Sequence, residues 1–127
     1  MIAIDTSSWI AFFSPSEPRG DDAEIVASAL ADHQACLPPV VLTELLSDPG
    51  LPKRVAALLL DLPRLDLLPG FWERAGALRA RLLARKHRAR LADTLIAQSC
   101  IDHDVRLVTR DGDFRHFSRL GGLRLAI

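Results

Sequence analysis

The chain has 127 residues, which is enough for one domain with a substantial core and too few for two ordinary domains. It carries 16 basic and 16 acidic residues, and a net charge of zero is not typical of a nucleic-acid binder. No apolar run approaches the roughly 20 residues that a membrane span needs, and Asp5 interrupts the N-terminus too early for a signal peptide, so we expect a cytoplasmic protein with no membrane partner.

In the first half of the chain, short apolar runs alternate with helical patterns. The predicted elements are strands over residues 1–4 and 35–37, and helices over 9–13, from 21 or 22 to about 31, from 38–39 to near 47–50, and over 52–60. The prolines and the glycine within residues 14–20 predict a loop. Asp21 or Asp22 can cap the helix that follows, with Glu24 placed for a capping box.

The second half continues the same alternation. The predicted elements are strands over residues 64–68, 106–109 and 123–127, and helices over 71–86 and 91–103. Short apolar strands separated by helices predict a parallel sheet covered on both faces, which is an α/β fold. No repeat, linker or low-complexity tract divides the chain, so residues 1–127 are expected to form a single domain. Cys36 and Cys100 stand alone in apolar runs, and we expect them to be buried thiols of a reducing cytosol.

Carboxylates recur in this chain where a strand ends or a helix begins. They are Asp5, Glu44, Asp93 and Asp111, with Asp113 close behind the last. Asp5 and Asp111 follow strands, and ligands bind outside the carboxyl ends of strands in such sheets. Glu44 and Asp93 are placed on helix faces that otherwise carry apolar residues. Burying ionised carboxylates is costly unless they are paired or coordinate a metal, and Mg²⁺ or Mn²⁺ prefers such oxygen ligands.

Each carboxylate also has an ordinary structural explanation. Asp5 can begin a turn or cap a helix, Asp93 can favour a helix N-terminus, and Glu44 can be partnered by an arginine. Asp111 and Asp113 can form a turn around Gly112. Taken singly, these explanations are about as good as a functional one. Taken together they require four separate reasons for acids at buried edges, which favours a shared site.

The sequence contexts of the four acids resemble those of one family. The segments DTSSWI, PPVVLTELL, RLADTLIA and LVTRDGDF, in this order, are similar to those of a PIN domain, and more narrowly of the VapC-type toxins of bacterial toxin–antitoxin pairs. The resemblance runs from Met1 to about Leu125, and RLADTLIA with LVTRDGDF is its most specific part. It implies a three-layer α/β/α fold with a central, mainly parallel sheet, and a Mg²⁺-dependent endoribonuclease.

The resemblance assigns roles to individual positions. Asp5, Glu44 and Asp93 match the first three acids of the family, and we assign Asp111 as the fourth catalytic and metal-binding acid. Asp113 is an auxiliary metal-ligand candidate. Three hydroxyls can orient these carboxylates, although capping the backbone is an equally good explanation for them. They belong to Thr6, Ser7 and Thr109.

A basic segment precedes Asp93. Arg85, Arg88 and Arg90 lie in a stretch without acids, so a neutral total charge can conceal a basic rim around an acidic centre. Runs of charge usually form a solvated helix face. Because this segment leads directly into the helix of Asp93, contact with RNA phosphates is the alternative that we carry forward.

Three functions are compatible with these residues. The leading one is a Mg²⁺- or Mn²⁺-dependent endoribonuclease acting as a toxin, and the resemblance then implies tRNA or rRNA as substrate, a VapB-like antitoxin and a homodimer. The alternative is a catalytically inactive PIN-like module that binds RNA or protein. The third is phosphoryl transfer through Asp5, but Ser7 stands where a second aspartate is usual, and neither of the two lysines lies in a matching place.

Overall fold

The centre of the protein is a small parallel sheet. The computed structural model describes residues 1–14, 16 and 19–126, so Pro15, Glu17 and Pro18 of the predicted loop, and Ile127 of the last predicted strand, lie outside the described residues. Strands β1 (Ile2–Ile4), β2 (Ala35–Cys36) and β3 (Arg106–Val108) are arranged in the order β2-β1-β3, and both pairings are parallel.

Two of the predicted strands are reduced to single bridges at the sheet edges. Arg64 forms a parallel bridge with Leu37, and Leu125 forms one with Leu107. Leu37 is followed by Pro38 and Pro39, which have no N–H group to donate, so the ladder beside residues 64–68 cannot continue. The predicted strands over 64–68 and 123–127 are therefore at the right places but far shorter than expected.

In the described part of the chain, seven helices surround the sheet. They are α1 (Thr6–Phe13), α2 (Asp21–Ala31), α3 (Val41–Leu46), α4 (Lys53–Leu60), α5 (Phe71–Ala84), α6 (Leu91–His103) and α7 (Phe114–Gly121). Contacts link α1 with α2 and α3, and α3 with α4, whereas α5, α6 and α7 all contact one another. The sheet side chains Ala3, Ile4, Leu107 and Val108 are all fully buried, as expected for a sheet covered on both faces. The predicted three-layer α/β/α fold is confirmed.

The sequence patterns located most helices but misplaced the starts of α1 and α3 and the cap of α2. Helix α1 begins at Thr6, three residues before the predicted start at residue 9. Helix α3 begins at Val41, not at the two prolines, and Val40 precedes it with a φ of 81°, an unusual conformation for a β-branched residue. Helix α2 has Gly20 at its N-cap and no side-chain cap, so the expected capping by Asp21 or Asp22 is wrong.

Helix α7 was not predicted at all. Its residues are mostly polar, but Phe114 and Phe117 are fully buried and lie three positions apart, on one face of the helix. This helix packs against α5 and α6. It thereby supports the turn at residues 111–113, which joins it to β3.

Among the described residues, no helix has the length and the apolar character needed to cross a bilayer.

Candidate active site

Asp5 lies at the carboxyl end of the central strand and is almost completely buried. Its Oδ2 atom accepts hydrogen bonds from the hydroxyl of Thr109, at 2.8 Å, and from the hydroxyl of Ser7, at 2.9 Å. Burial raises the pKa of Asp5, and the two hydroxyl donors partly oppose that effect. Two hydroxyls predicted to orient a carboxylate therefore do so here.

Glu44 is connected to the same end of the sheet through Thr6. The Thr6 hydroxyl donates to Glu44 Oε1 at 2.8 Å, so the third predicted hydroxyl also holds an acid. Glu44 itself is exposed, which contradicts the expectation that its helix face looks inward. Helix α3 is short and apolar on most sides, so its pattern could not identify the buried face.

Asp93 lies in the first turn of α6, and its Oδ2 atom is buried without a hydrogen-bond partner. Burial raises the pKa of Asp93 to about 6, and repulsion from Asp111, Asp5 and Glu44 adds to the effect. A buried carboxylate oxygen without a donor is rare in native proteins and needs an explanation. The repulsive interactions also show that the four acids share one electrostatic environment.

Asp111 and Asp113 occupy the turn between β3 and α7. The Asp111 N–H donates to the Thr109 hydroxyl at 3.0 Å, and the Asp113 N–H donates to Asp111 Oδ1 at 2.9 Å. Asp113 Oδ2 instead lies 3.9 Å from the Arg88 guanidinium. Asp111 thus belongs electrostatically with Asp5 and Asp93, whereas Asp113 lies beside a basic residue at the rim.

We call Asp5, Glu44, Asp93 and Asp111 the carboxylate cluster. Within residues 1–14, 16 and 19–126, no three acidic, histidine or cysteine side chains are placed so that together they could hold a metal ion. A cage of this kind is not required by Mg²⁺, which keeps several waters and is bound through one or two carboxylates. The oxygen-only donor set and the unpartnered Asp93 oxygen fit such an ion.

The arginines of the basic segment differ in their surroundings. Arg85, Arg88 and Arg90 are all exposed, and Arg90 lies close enough to Asp93 to lower its pKa. Arg74, which lies on α5, instead forms a two-bond ion pair with Asp102. Arg88 and Arg90 therefore border the carboxylate cluster, and Arg74 holds α5 against α6.

Sequence reasoning missed the ion pair between Asp22 and Arg110. Arg110 Nε donates to Asp22 Oδ2 at 2.7 Å, and Nη2 donates to Oδ1 at 3.0 Å. The two residues are 88 positions apart, so no local pattern connects them. The only available signal was the location of Arg110 directly before Asp111.

An apolar groove opens beside Glu44. Its volume is about 250 Å³, and it lies between α1, α3 and the start of α4. The residues that line it include Trp9, Ile10, Phe13, Glu44, Leu45 and Leu51. A largely apolar groove that ends at an acidic side chain could receive a peptide segment carrying apolar and basic residues.

Comparisons with known proteins identify the family of the chain. A model of the PIN domain matches residues 2–120. A VapC ribonuclease of Mycobacterium bovis and Ribonuclease VapC11 of Mycobacterium tuberculosis are each 32% identical to the chain over 136 aligned positions, covering 99% of this chain and 98% of the relative.

Solved structures show the same fold. FitAcB from Neisseria gonorrhoeae superposes with a TM-score of 0.72 at 20% identity, covering 98% of this chain and 96% of that one. VapBC-5 from Mycobacterium tuberculosis, a member of the VapBC family of toxin–antitoxin systems, gives a TM-score of 0.66 at 20% identity, covering 98% and 95%.

The raised pKa of Asp93 predicts that Asp93→Asn stabilises the metal-free protein. The pKa rises from 3.8 to about 6 on folding, so the folded state binds the proton more tightly and loses stability as the pH increases through this range. In the asparagine variant, the free energy of unfolding does not decrease in this way. This variant should be more stable than the wild type above pH 6, by roughly 1–3 kcal/mol, and should have no such advantage below about pH 4.

Thermal unfolding in EDTA between pH 4 and 8 measures this difference. Asp61→Asn, at the exposed end of α4, controls for the loss of one acidic charge. If Asp93→Asn is more stable than the wild type by the same amount at every pH, the ionised carboxylate of Asp93 is not destabilised by burial and by its acidic neighbours.

Proposed function

Because the chain belongs to the PIN-domain family and has VapC ribonucleases as relatives, we propose that it is a divalent-metal-dependent endoribonuclease and the toxin of a toxin–antitoxin pair. The observation that carries this proposal is the carboxylate cluster. Four segments that are distant in sequence bring acids into one electrostatic environment, and one buried oxygen there lacks a partner. A divalent cation accounts for both features.

The residues of this chain would hold and orient Mg²⁺ or Mn²⁺. The hydroxyls of Thr109 and Ser7 fix the Asp5 carboxylate, and the Asp113 N–H fixes that of Asp111. Asp93 offers an oxygen that no protein group occupies. When bound, the ion lowers the pKa of a coordinated water and offsets charge on the scissile phosphate.

We assign the attack to water and not to a side chain. Both cysteines are buried, and burial raises the pKa of Cys36 to about 11 and that of Cys100 further, so neither is a thiolate at neutral pH. In-line attack by water would form a new bond to phosphorus and break the P–O bond to the leaving oxygen, which takes up a proton, so that the RNA backbone is cleaved without a covalent intermediate. Glu44, which is exposed and accepts a hydrogen bond from Thr6, would hold solvent beside the ion.

The substrate is RNA, with tRNA or rRNA loops as the expected targets. Arg88 and Arg90 lie beside acids of the candidate active site, and the exposed Arg85 precedes them in the same basic segment, so these arginines would bind phosphates on either side of the one to be cleaved. The alternative of an inactive binding module receives no support, because all four acids of the cluster are present and hydrogen bonds orient three of them.

The first test is dependence on the metal and on the individual acids. Asp5→Asn and Asp93→Asn nearly preserve side-chain shape, and each should lower RNA cleavage by on the order of 100-fold or more, since even the outer partners of a metal site matter by about 10- to 100-fold. EDTA should abolish cleavage, and added Mg²⁺ or Mn²⁺ should restore it.

Asp111→Asn and Asp113→Asn form the matched pair of this test. Asp111 should matter more, because Asp113 lies beside Arg88 at the rim. Full cleavage by Asp93→Asn, or cleavage in EDTA, would rule out the proposed site. The reverse order for Asp111 and Asp113 would show that Asp113 is the fourth acid.

The second test concerns the basic segment. Replacing Arg85, Arg88 and Arg90 together by glutamine should weaken RNA binding and reduce the slope of log K against log salt by about 2 if each contacts a phosphate of single-stranded RNA. Binding is measured on the Asp93→Asn protein at several salt concentrations. The same replacement at three other exposed arginines is the control, and an equal effect of both sets would support a solvated face. They are Arg106, Arg119 and Arg124.

The proposed partners are an antitoxin and a second copy of the chain. We assign a VapB-like antitoxin to the apolar groove and expect it to direct an arginine or lysine at the carboxylate cluster, where charge-assisted hydrogen bonds would replace the ion. A homodimer would cover exposed apolar side chains on α4 and α5, such as Leu60 and Trp72.

Co-expression with the small protein encoded in the neighbouring reading frame tests these partners. We expect a stable complex, inhibited cleavage, and a dimer of the 14.0 kDa chain by light scattering. Ile10→Asp places a charge in the groove and should abolish capture of the antitoxin, whereas Leu83→Asp, at a similarly exposed apolar residue that does not line the groove, should not. Capture that is unaffected by Ile10→Asp would place the antitoxin elsewhere.

A further inference from the structure

The ion pair between Asp22 and Arg110 is unusually well buried for a pair next to an acidic site. The Asp22 side chain is only 4% exposed and that of Arg110 is 30% exposed. Both carboxylate oxygens of Asp22 accept a bond, and the hydrogen bonds from Arg110 lower the pKa of Asp22. A two-bond arginine–carboxylate pair fixes the direction of the guanidinium as well as its distance.

The backbone of Arg110 belongs to the hydrogen-bond network of the carboxylate cluster. Its N–H donates to the Ser7 hydroxyl at 3.1 Å, and that hydroxyl in turn donates to Asp5. Arg110 also stands between Thr109, which bonds Asp5, and Asp111. The main chain of this residue is therefore part of the site, while its side chain is directed to α2.

The surroundings of the pair are adapted to it. A Cβ atom at Gly20 would lie 3.1 Å from Asp22 Oδ1 and 3.5 Å from Arg110 Nη2, so the absence of a side chain there lets the backbone approach both partners. Contacts of α2 with β3 hold the two segments together. The structure thus specifies the direction of the Arg110 side chain from more than one side.

Without this restraint, Arg110 would compete with a metal ion. A guanidinium is a cation with five donors, and carboxylates at high local density are its preferred partners. Asp111 is the next residue along the chain, and Asp5 is one hydrogen-bonded step away through Ser7. Arg110 is therefore a cationic residue whose main chain already belongs to the network of the oxygens that the ion requires, and it directly precedes Asp111.

We propose that Asp22 is a positioning residue that holds Arg110 away from the carboxylate cluster, so that Asp5 and Asp111 stay available to the divalent ion. This inference rests on the metal site of the proposed function. It adds a role for two residues that make no contact with the ion or the RNA through their side chains.

The test of this proposal is the affinity for Mn²⁺, measured by calorimetry in the absence of RNA. Four proteins are compared: the wild type, Asp22→Ala, Arg110→Ala and the double variant. Asp22→Ala deprives the guanidinium of its Asp22 partner and should weaken Mn²⁺ binding on the order of tenfold. The double variant removes the competing cation as well and should bind Mn²⁺ about as tightly as the wild type. Neither of these two decisive variants leaves a buried carboxylate without its partner.

Thermal unfolding in EDTA separates this role from a purely structural one. Arg110→Ala leaves the buried Asp22 carboxylate unpaired and should lower the melting temperature more than Asp22→Ala does, although it should weaken Mn²⁺ binding less. If the pair had only a structural role, the variant with the lower melting temperature would also be the one that binds Mn²⁺ more weakly. Asp102→Ala is the matched control, because it also removes the carboxylate of a two-bond arginine pair. Asp102 lies nine residues after Asp93 on α6, which is about 13 Å along the helix. This variant should therefore leave Mn²⁺ binding unchanged.

Two results would overturn the proposal. One is unchanged Mn²⁺ binding by Asp22→Ala, and the other is a double variant that binds Mn²⁺ as weakly as Asp22→Ala. If the wild type binds no Mn²⁺, the metal site of the proposed function is ruled out. Failure of the proposed function is therefore recognised before any variant is compared.

Discussion

The parallel pairing of β1 with β3 is the constraint on which the site depends. This pairing places Asp5 beside Val108, whose carbonyl accepts the Asp5 N–H at 2.9 Å, and it brings the Thr109 hydroxyl to the Asp5 carboxylate. Thr109 also accepts the Asp111 N–H. One hydroxyl therefore couples the ends of two strands to the turn that carries the next acid.

The protein orients its acids mainly with neutral donors. Hydroxyls and backbone N–H groups hold Asp5, Glu44 and Asp111, while the arginines are placed at the edge or paired elsewhere. A neutral donor fixes a carboxylate without cancelling its charge, so the negative potential of the cluster is preserved for a cation. The cost of this arrangement is visible at Asp93, where burial and three acidic neighbours raise the pKa to about 6.

The features that sequence reasoning could predict are those encoded locally. An apolar run followed by an aspartate located Asp5 and Asp111 at strand ends, and the helix of Asp93 has the predicted bounds, Leu91–His103. The exposure of Glu44 was not predictable, because its short helix is apolar on most sides and begins only after the left-handed Val40. Helix α7 was missed because its polar residues hide the spacing of two phenylalanines. The pair of Asp22 and Arg110 depends on tertiary packing, which local patterns do not contain.

The order of the strands also determines when the site can form during synthesis. In the sheet, Ile2 pairs with Arg106, so the first strand to leave the ribosome waits for almost the whole chain before its β3 neighbour exists. Contacts between residues so far apart in sequence are slow to form, because a long loop must close first. An incomplete chain that ends before β3 lacks Thr109 and Asp111 and leaves Asp5 without its hydroxyl partner. The arrangement of the acids is therefore completed only near the end of translation.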